Sequence, residues 1–173
     1  VSARSIAVIR ASATDVLAYI MYHNQRYQAV LKSEDPIVIE ERILERPSEH
    51  HFCAVLRSKF PNPLNNREVV ASTIWQKESE GNYFAVSTSC EHGDCPETLS
   101  FIRVDFTRAF KLSQNADNTT SVETVATVNL KGAIPKWIND LITIPQLSGM
   151  PLNMINFFAA VRRSPEFDAA DSK

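Results

Sequence analysis

From Ile37 to Leu130 the chain repeats one pattern: short runs in which apolar side chains alternate with polar ones, punctuated by turn residues. Helical spacing takes over only after Gly132, in Ile134 to Arg163, where Pro145, Gly149 and Pro151 interrupt it. A series of antiparallel strands with one apolar face must bury that face against another layer. The terminal helical segment is the one element long enough to do so. The expected fold is therefore α+β, a curved antiparallel sheet gripping a long C-terminal helix. One domain is expected over residues 1–163, with a frayed polar tail at 164–173.

The individual elements follow from local rules. Ser2 to Ala11 is rich in Ile and Val and reads as a strand. Ser12 with Asp15 three positions on is a variant of the capping box, and Val16, Leu17, Ile20 and Met21 carry a short helix toward Asn24. Paired strands are expected at Ile37–Arg46 and His51–Phe60, around the turn Arg46-Pro47-Ser48-Glu49, with Phe52, Ala54, Leu56 and Phe60 sharing a face. Phe60 to Asn66 is an irregular loop, and a hairpin around Glu80-Gly81-Asn82 joins Arg67–Lys77 to Asn82–Ser89. Phe101–Leu112 puts Ile102, Val104, Phe106, Phe110 and Leu112 on one face, and Val122–Leu130 alternates again.

Charge and composition exclude several functions. Eighteen Lys+Arg against 20 Asp+Glu give a net charge of -2, with no basic stripe to grip nucleic acid. Four glycines, and neither GxGxxG nor GxxxxGK, leave no phosphate-cradling loop, so no cofactor is expected. Three cysteines, Cys53, Cys90 and Cys95, suit a reduced cytoplasmic setting better than a disulfide scaffold. The most apolar late stretch, Met154–Val161, is far shorter than the ~18 residues a bilayer span needs. Membrane contact, if made, is expected to be peripheral. The start at Val1, without a basic and apolar leader, is read as a segment of a larger multidomain protein.

The chemistry-bearing residues are few. There is no GxSxG elbow. Cys90, His92 and Cys95, with His50, His51 and Cys53 upstream, match no CxxC or HxxxH ligand spacing, so no metal is expected and the segment reads as a connection. Arg108 falls in register with Val104, Phe106 and Phe110 on an apolar face. A guanidinium there either meets the polar end of an apolar ligand or is turned to solvent by a bulge. Arg103 lies on the opposite face beside Asp105, where a surface ion pair is the simplest reading. Glu40, Glu41 and Glu45 sit on a strand with charges on both faces, the pattern of a solvated edge. Trp75 and Trp137 are read first as core.

Four segments together resemble the START (StAR-related lipid transfer) family. Ile9–Ile20 (IRASATDVLAYI) is similar to its strand and short helix. Asn62–Trp75 (NPLNNREVVASTIW) resembles its proline loop and Arg-Asp strand start, with Arg67 at the arginine and Glu68 in place of Asp. Ser89–Asp105 (SCEHGDCPETLSFIRVD) places Arg103 at a family arginine, and Val128–Leu141 (VNLKGAIPKWINDL) resembles the last strand and the opening of the C-terminal helix. The resemblance implies a helix-grip fold that encloses one lipid in a tunnel between sheet and helix. The residues expected to line it are Arg108, Thr73, Trp75, Phe106, Phe110 and Val128, with Leu152, Ile155, Phe158 and Ala159 as its roof. Family members begin with a helix and two further strands, so N-terminal elements are missing or the sheet is smaller. Ala54 and Thr73 stand where the sterol-binding branch has its acid and arginine, which favours a phospholipid or other acyl lipid over a sterol. The leading expectation is a non-enzymatic lipid-binding or lipid-transfer module. The alternatives are an interaction or regulatory module with a collapsed cavity, and a cyclase- or hydrolase-like helix-grip enzyme.

Overall fold

The computed structural model describes residues 1–22, 38–138, 140 and 143–162. In chain order the elements are β1 (Ser2–Ile9), α1 (Ala13–Met21), β2 (Val38–Ser48), β3 (His51–Ser58), β4 (Arg67–Ser79), β5 (Asn82–Ser89), β6 (Ile102–Arg103), β7 (Asp105–Gln114) and β8 (Thr120–Asn129). Three helical pieces follow, α2 (Lys136–Ile138), α3 (Ile144–Ser148) and α4 (Met150–Arg162). The strands form one eight-stranded sheet in the order β1-β8-β7-β5-β4-β3-β2, antiparallel throughout except for the two-residue β6, which runs parallel beside the start of β4. This is the α+β architecture that the alternation pattern predicts. The expected helix end near Asn24, the strand start at Ile37 and the tail at 164–173 lie outside the described residues.

Local chemistry accounts for the boundaries. Ser12 is extended and its Oγ accepts the Asp15 amide at 3.1 Å, capping α1, while Asp15 adds a carboxylate to the first turn. Gly81 turns the β4–β5 hairpin at φ +72°, and a Cβ there would stand 2.7 Å from the Gln114 Cβ, so only glycine fits. β2 reaches two residues beyond its expected end and passes through Pro47. It tolerates a proline because it is an edge strand whose register shifts between Glu45 and Ser48.

The concave face of the sheet carries two buried clusters. α1 packs against the β5–β7 side, bringing Val16, Leu17, Tyr19 and Ile20 onto Phe110, Leu112 and Val122. At the other end Phe60, Val104, Ala126, Val128 and Leu130 gather under Ile138 and Leu147 of the helical pieces. α4 closes the gap, its Phe157 and Phe158 rings 5.0 and 5.8 Å from the Tyr19 ring. The terminal helix is interrupted at Gly149, one of the expected places: α3 stops at Ser148, and α4 begins at Met150 with Pro151 in its first turn, where a missing N–H costs nothing.

Candidate functional site

Between the concave face and the helices lies a cavity of about 130 Å³. Strand register explains its place. Along neighbouring strands the inward positions are small: Ser87 pairs with Thr73, and Ala71 with Ala54. This lane is flanked by Phe106, Val69 and Leu56 on one side and by Phe110, Phe52 and Ile20 on the other, with Met150 over it. At its β7 end stands Arg108, paired across the strands with Ser87 on one side and Ala126 on the other, with no register shift in either ladder. The bulge that would turn Arg108 to solvent is absent, and the residue points into the cavity.

The electrostatics there are lopsided. Arg108 Nε is sealed from solvent and has no hydrogen-bond partner. The other two nitrogens donate at 3.4 Å to the Met150 Sδ and to the Leu147 carbonyl, both long contacts. The Phe106 and Phe110 rings stand 5.2 and 6.0 Å from the guanidinium carbon. Among the described residues no carboxylate lies within ion-pair distance. Burial therefore pushes the Arg108 pKa down to about 10, which leaves it charged at neutral pH. Beside it Thr73 is buried, and its hydroxyl and that of Ser87 share a 2.7 Å hydrogen bond.

Several expected site residues stand elsewhere. Thr73, Phe106 and Phe110 line the cavity as expected. Trp75 faces inward beyond its end, stacked on His50 at 4.1 Å with Nε1 donating to the Glu49 carbonyl. Val128 is buried in the second cluster, under Leu147. The roof assignment needs correction: Leu152 and Ile155 are 58% and 40% exposed, and Ala159 is exposed too. Of that set only Phe158 turns inward, together with Pro151, Met154 and Phe157. α4 is apolar nearly all round, so two stripes compete, and the one with two Met and two Phe side chains buries more surface. Glu41 is also corrected. It lines the cavity opposite Leu56, on the same face as Ile43 two residues on, which packs against the core.

The convex face holds a second charged centre that the Arg103–Asp105 reading misses. Glu68 is 0% exposed and receives Arg57 Nε at 2.7 Å on one oxygen and Arg103 NH2 at 2.8 Å on the other. Arg57 also reaches Glu40 at 2.6 Å, while Asp105 pairs instead with Lys131 at 3.1 Å. Burial alone would raise the Glu68 carboxyl, but the two guanidinium bonds override it and hold the group below the ordinary carboxylate range. Arg103 also donates to the Cys95 carbonyl at 2.7 Å, which fastens the 90–101 connection over Val55 and Val70. The Cys95 thiol, pushed up by burial, points at Glu68. Arg67 is satisfied differently, by the carbonyls of Leu130, Lys131 and Asn65, and so ties the start of β4 to the turn that leads into the helices.

The family model described as START domain matches residues 3–147. The human StarD13 (DLC2) lipid transfer and protein localization domain superposes with a TM-score of 0.69 at 16% identity, over 88% of this chain and 74% of that one. Human STARD10 gives 0.69 at 20% identity over 98% of this chain, which spans 66% of the STARD10 chain. A STAR-related lipid transfer protein from Xanthomonas axonopodis gives 0.66 at 18% identity, over 92% of this chain and 84% of that one. At these identities the likeness is one of fold. No curated protein sequence matches the chain.

Proposed function

The chain belongs to the START domain family, and on that premise we propose that it binds a single lipid in the cavity between the sheet and the C-terminal helices, without catalysis. The observation that carries this reading is the lane of small side chains under a segmented cover. Ala54, Ala71, Thr73 and Ser87 leave room on the concave face, and that face is lined by apolar rings. Burying an acyl chain there yields about 25 cal/mol per Å² of apolar surface removed from water. The StarD13 domain and the Xanthomonas protein are both named for lipid transfer, which supports the same reading.

At about 130 Å³ the cavity is smaller than the roughly 300 Å³ at which ligand pockets begin, so lipid entry requires the cover to move. The interruption at Gly149 divides that cover between α3 and α4. Its outer surface carries Trp137, Ile144, Leu152 and Ile155, all exposed, and this apolar stripe supports transient contact with a membrane surface during loading. Among the described residues no helix is long and apolar enough to cross a membrane. An acyl lipid is favoured over a sterol, because Arg108, Ser87 and Thr73 gather toward the β7 side of the lane, apart from Glu41 on β2. Those groups, a hydroxyl pair and a guanidinium, suit holding a head more than moving a proton.

The small cavity also favours one second reading, an interaction module whose interior is filled by its own Phe52, Phe106, Phe110 and Met150. Native mass spectrometry after incubation with mixed lipid vesicles separates the two. Retention of one lipid per chain is expected; an unchanged apo mass with every lipid class would leave the interaction module.

A further inference from the structure

Within the lipid-binding reading, on which this inference rests, we propose that the ligand is a single-chain amphiphile with an anionic head, whose oxygens sit on Arg108. A buried charge without a counter-charge is costly, and removing one partner of a buried ion pair shows how costly. Two other buried charges of the sheet are well bonded: Glu68 has two guanidinium partners, and Arg67 donates to three carbonyls. Arg108 has an unpartnered Nε, two long contacts to the cover and no carboxylate within ion-pair distance among the described residues.

The geometry around Arg108 suits an anion. Phe106 and Phe110 lie near the guanidinium, and the weak bonds to Leu147 and Met150 are easily exchanged for an oxyanion, which accepts more strongly than a carbonyl or a thioether. Ser87, directly across from Arg108, shares its hydroxyl with Thr73, and two hydroxyls joined by one bond still hold a free hydrogen for a second contact. A neutral head would leave the charge uncompensated. A zwitterionic head would add a cation needing an acid of its own, and the carboxylate that lines the cavity, Glu41, is on β2, with three strands between it and β7. The lane leading away is bounded on both sides by large side chains, so one chain fits with the least displacement of the cover. Carboxylate and phosphate monoester share this chemistry, and the experiment separates them.

The test uses the full chain with four probes: hexadecanoate, hexadecyl phosphate, methyl hexadecanoate and phosphatidylcholine vesicles. Native mass spectrometry reads stoichiometry, and a displacement titration reads affinity. At least one of the two anions is expected to bind one-to-one, about 10- to 100-fold more tightly than the uncharged ester of equal length, as a charged hydrogen-bonded contact implies. The tighter anion identifies the head. Arg108→Met is expected to reduce anion binding to the level of the ester, and Arg108→Lys to restore part of it. Equal affinity for acid and ester, or unchanged anion binding by Arg108→Met, overturns the inference while lipid binding stands. Retention of phosphatidylcholine with no binding of either anion does the same. If no probe of any kind is retained, both readings fall. Should Arg108→Met fail to fold, the comparison of acid with ester on the unaltered chain decides alone.

Discussion

Arg103 and Arg108 stand five residues apart at the two faces of the same sheet, and their surroundings differ completely. On the convex side Arg103 donates two bonds to a carboxylate that no solvent reaches and a third to a backbone carbonyl. On the concave side Arg108 has two long contacts and a nitrogen with nothing to bond. The first arrangement is complete within the chain and fastens the 90–101 connection to β4. The second is incomplete within the described residues and borders a cavity. A balanced buried charge is a structural device, whereas an unbalanced one costs stability and marks where a partner from outside belongs.

The largest expected effect tests the balanced side. Glu68→Ala leaves Arg57 and Arg103 facing each other without their acid and should cost about 3–5 kcal/mol in chemical denaturation. A loss below 1 kcal/mol would mean that the two guanidinium groups find other partners, and would erase the contrast. Acid acts on the same centre. Because the Glu68 carboxyl is held below its unfolded value of 4.5, its contribution is complete above that value and disappears as pH falls through the lower folded value. Unfolding of the unaltered chain should therefore steepen below about pH 4.5, and much less so in Glu68→Gln, which has no proton to take up.

The unbalanced side should respond with the opposite sign. Arg108→Met removes a desolvated charge and keeps the volume, so the ligand-free protein should gain about 1–3 kcal/mol. A loss of stability would show that the contacts to Leu147 and Met150 matter more than their 3.4 Å lengths suggest. The smallest effect separates the two stripes of α4. Leu152→Ser with Ile155→Ser should change stability by no more than about 0.5 kcal/mol, since both side chains are largely exposed, while weakening attachment to vesicles in a flotation assay. Unchanged attachment would remove the outer stripe from the membrane-contact reading.

Much of this was legible in the residues. Alternation in Phe101–Leu112 and Val122–Leu130 identified the strands observed at Asp105–Gln114 and Thr120–Asn129 and their inward faces, and it pointed to Arg108 as a cation on such a face. The Ser12 cap and the Gly81 turn were also readable, since each depends on neighbours a few positions away. Glu41 was not, because β2 carries charges on both faces, and only its pairing opposite Leu56 shows which of them faces in. The α4 roof failed for a related reason: Asn153 and Asn156 are the helix's only polar residues before Arg162, too few to mark a polar face.

The sequence by itself determined the succession of strands, the period of their faces and the family to which they belong, because pleating and capping are set by local geometry. Tertiary structure alone decided which stripe of α4 turns inward, that Glu68 gathers Arg57 from β3 and Arg103 from β6, and that Arg108 gathers no acid among the described residues. Period is a local property, but phase and charge balance depend on side chains brought together from distant strands, where desolvation makes each meeting, or its absence, count.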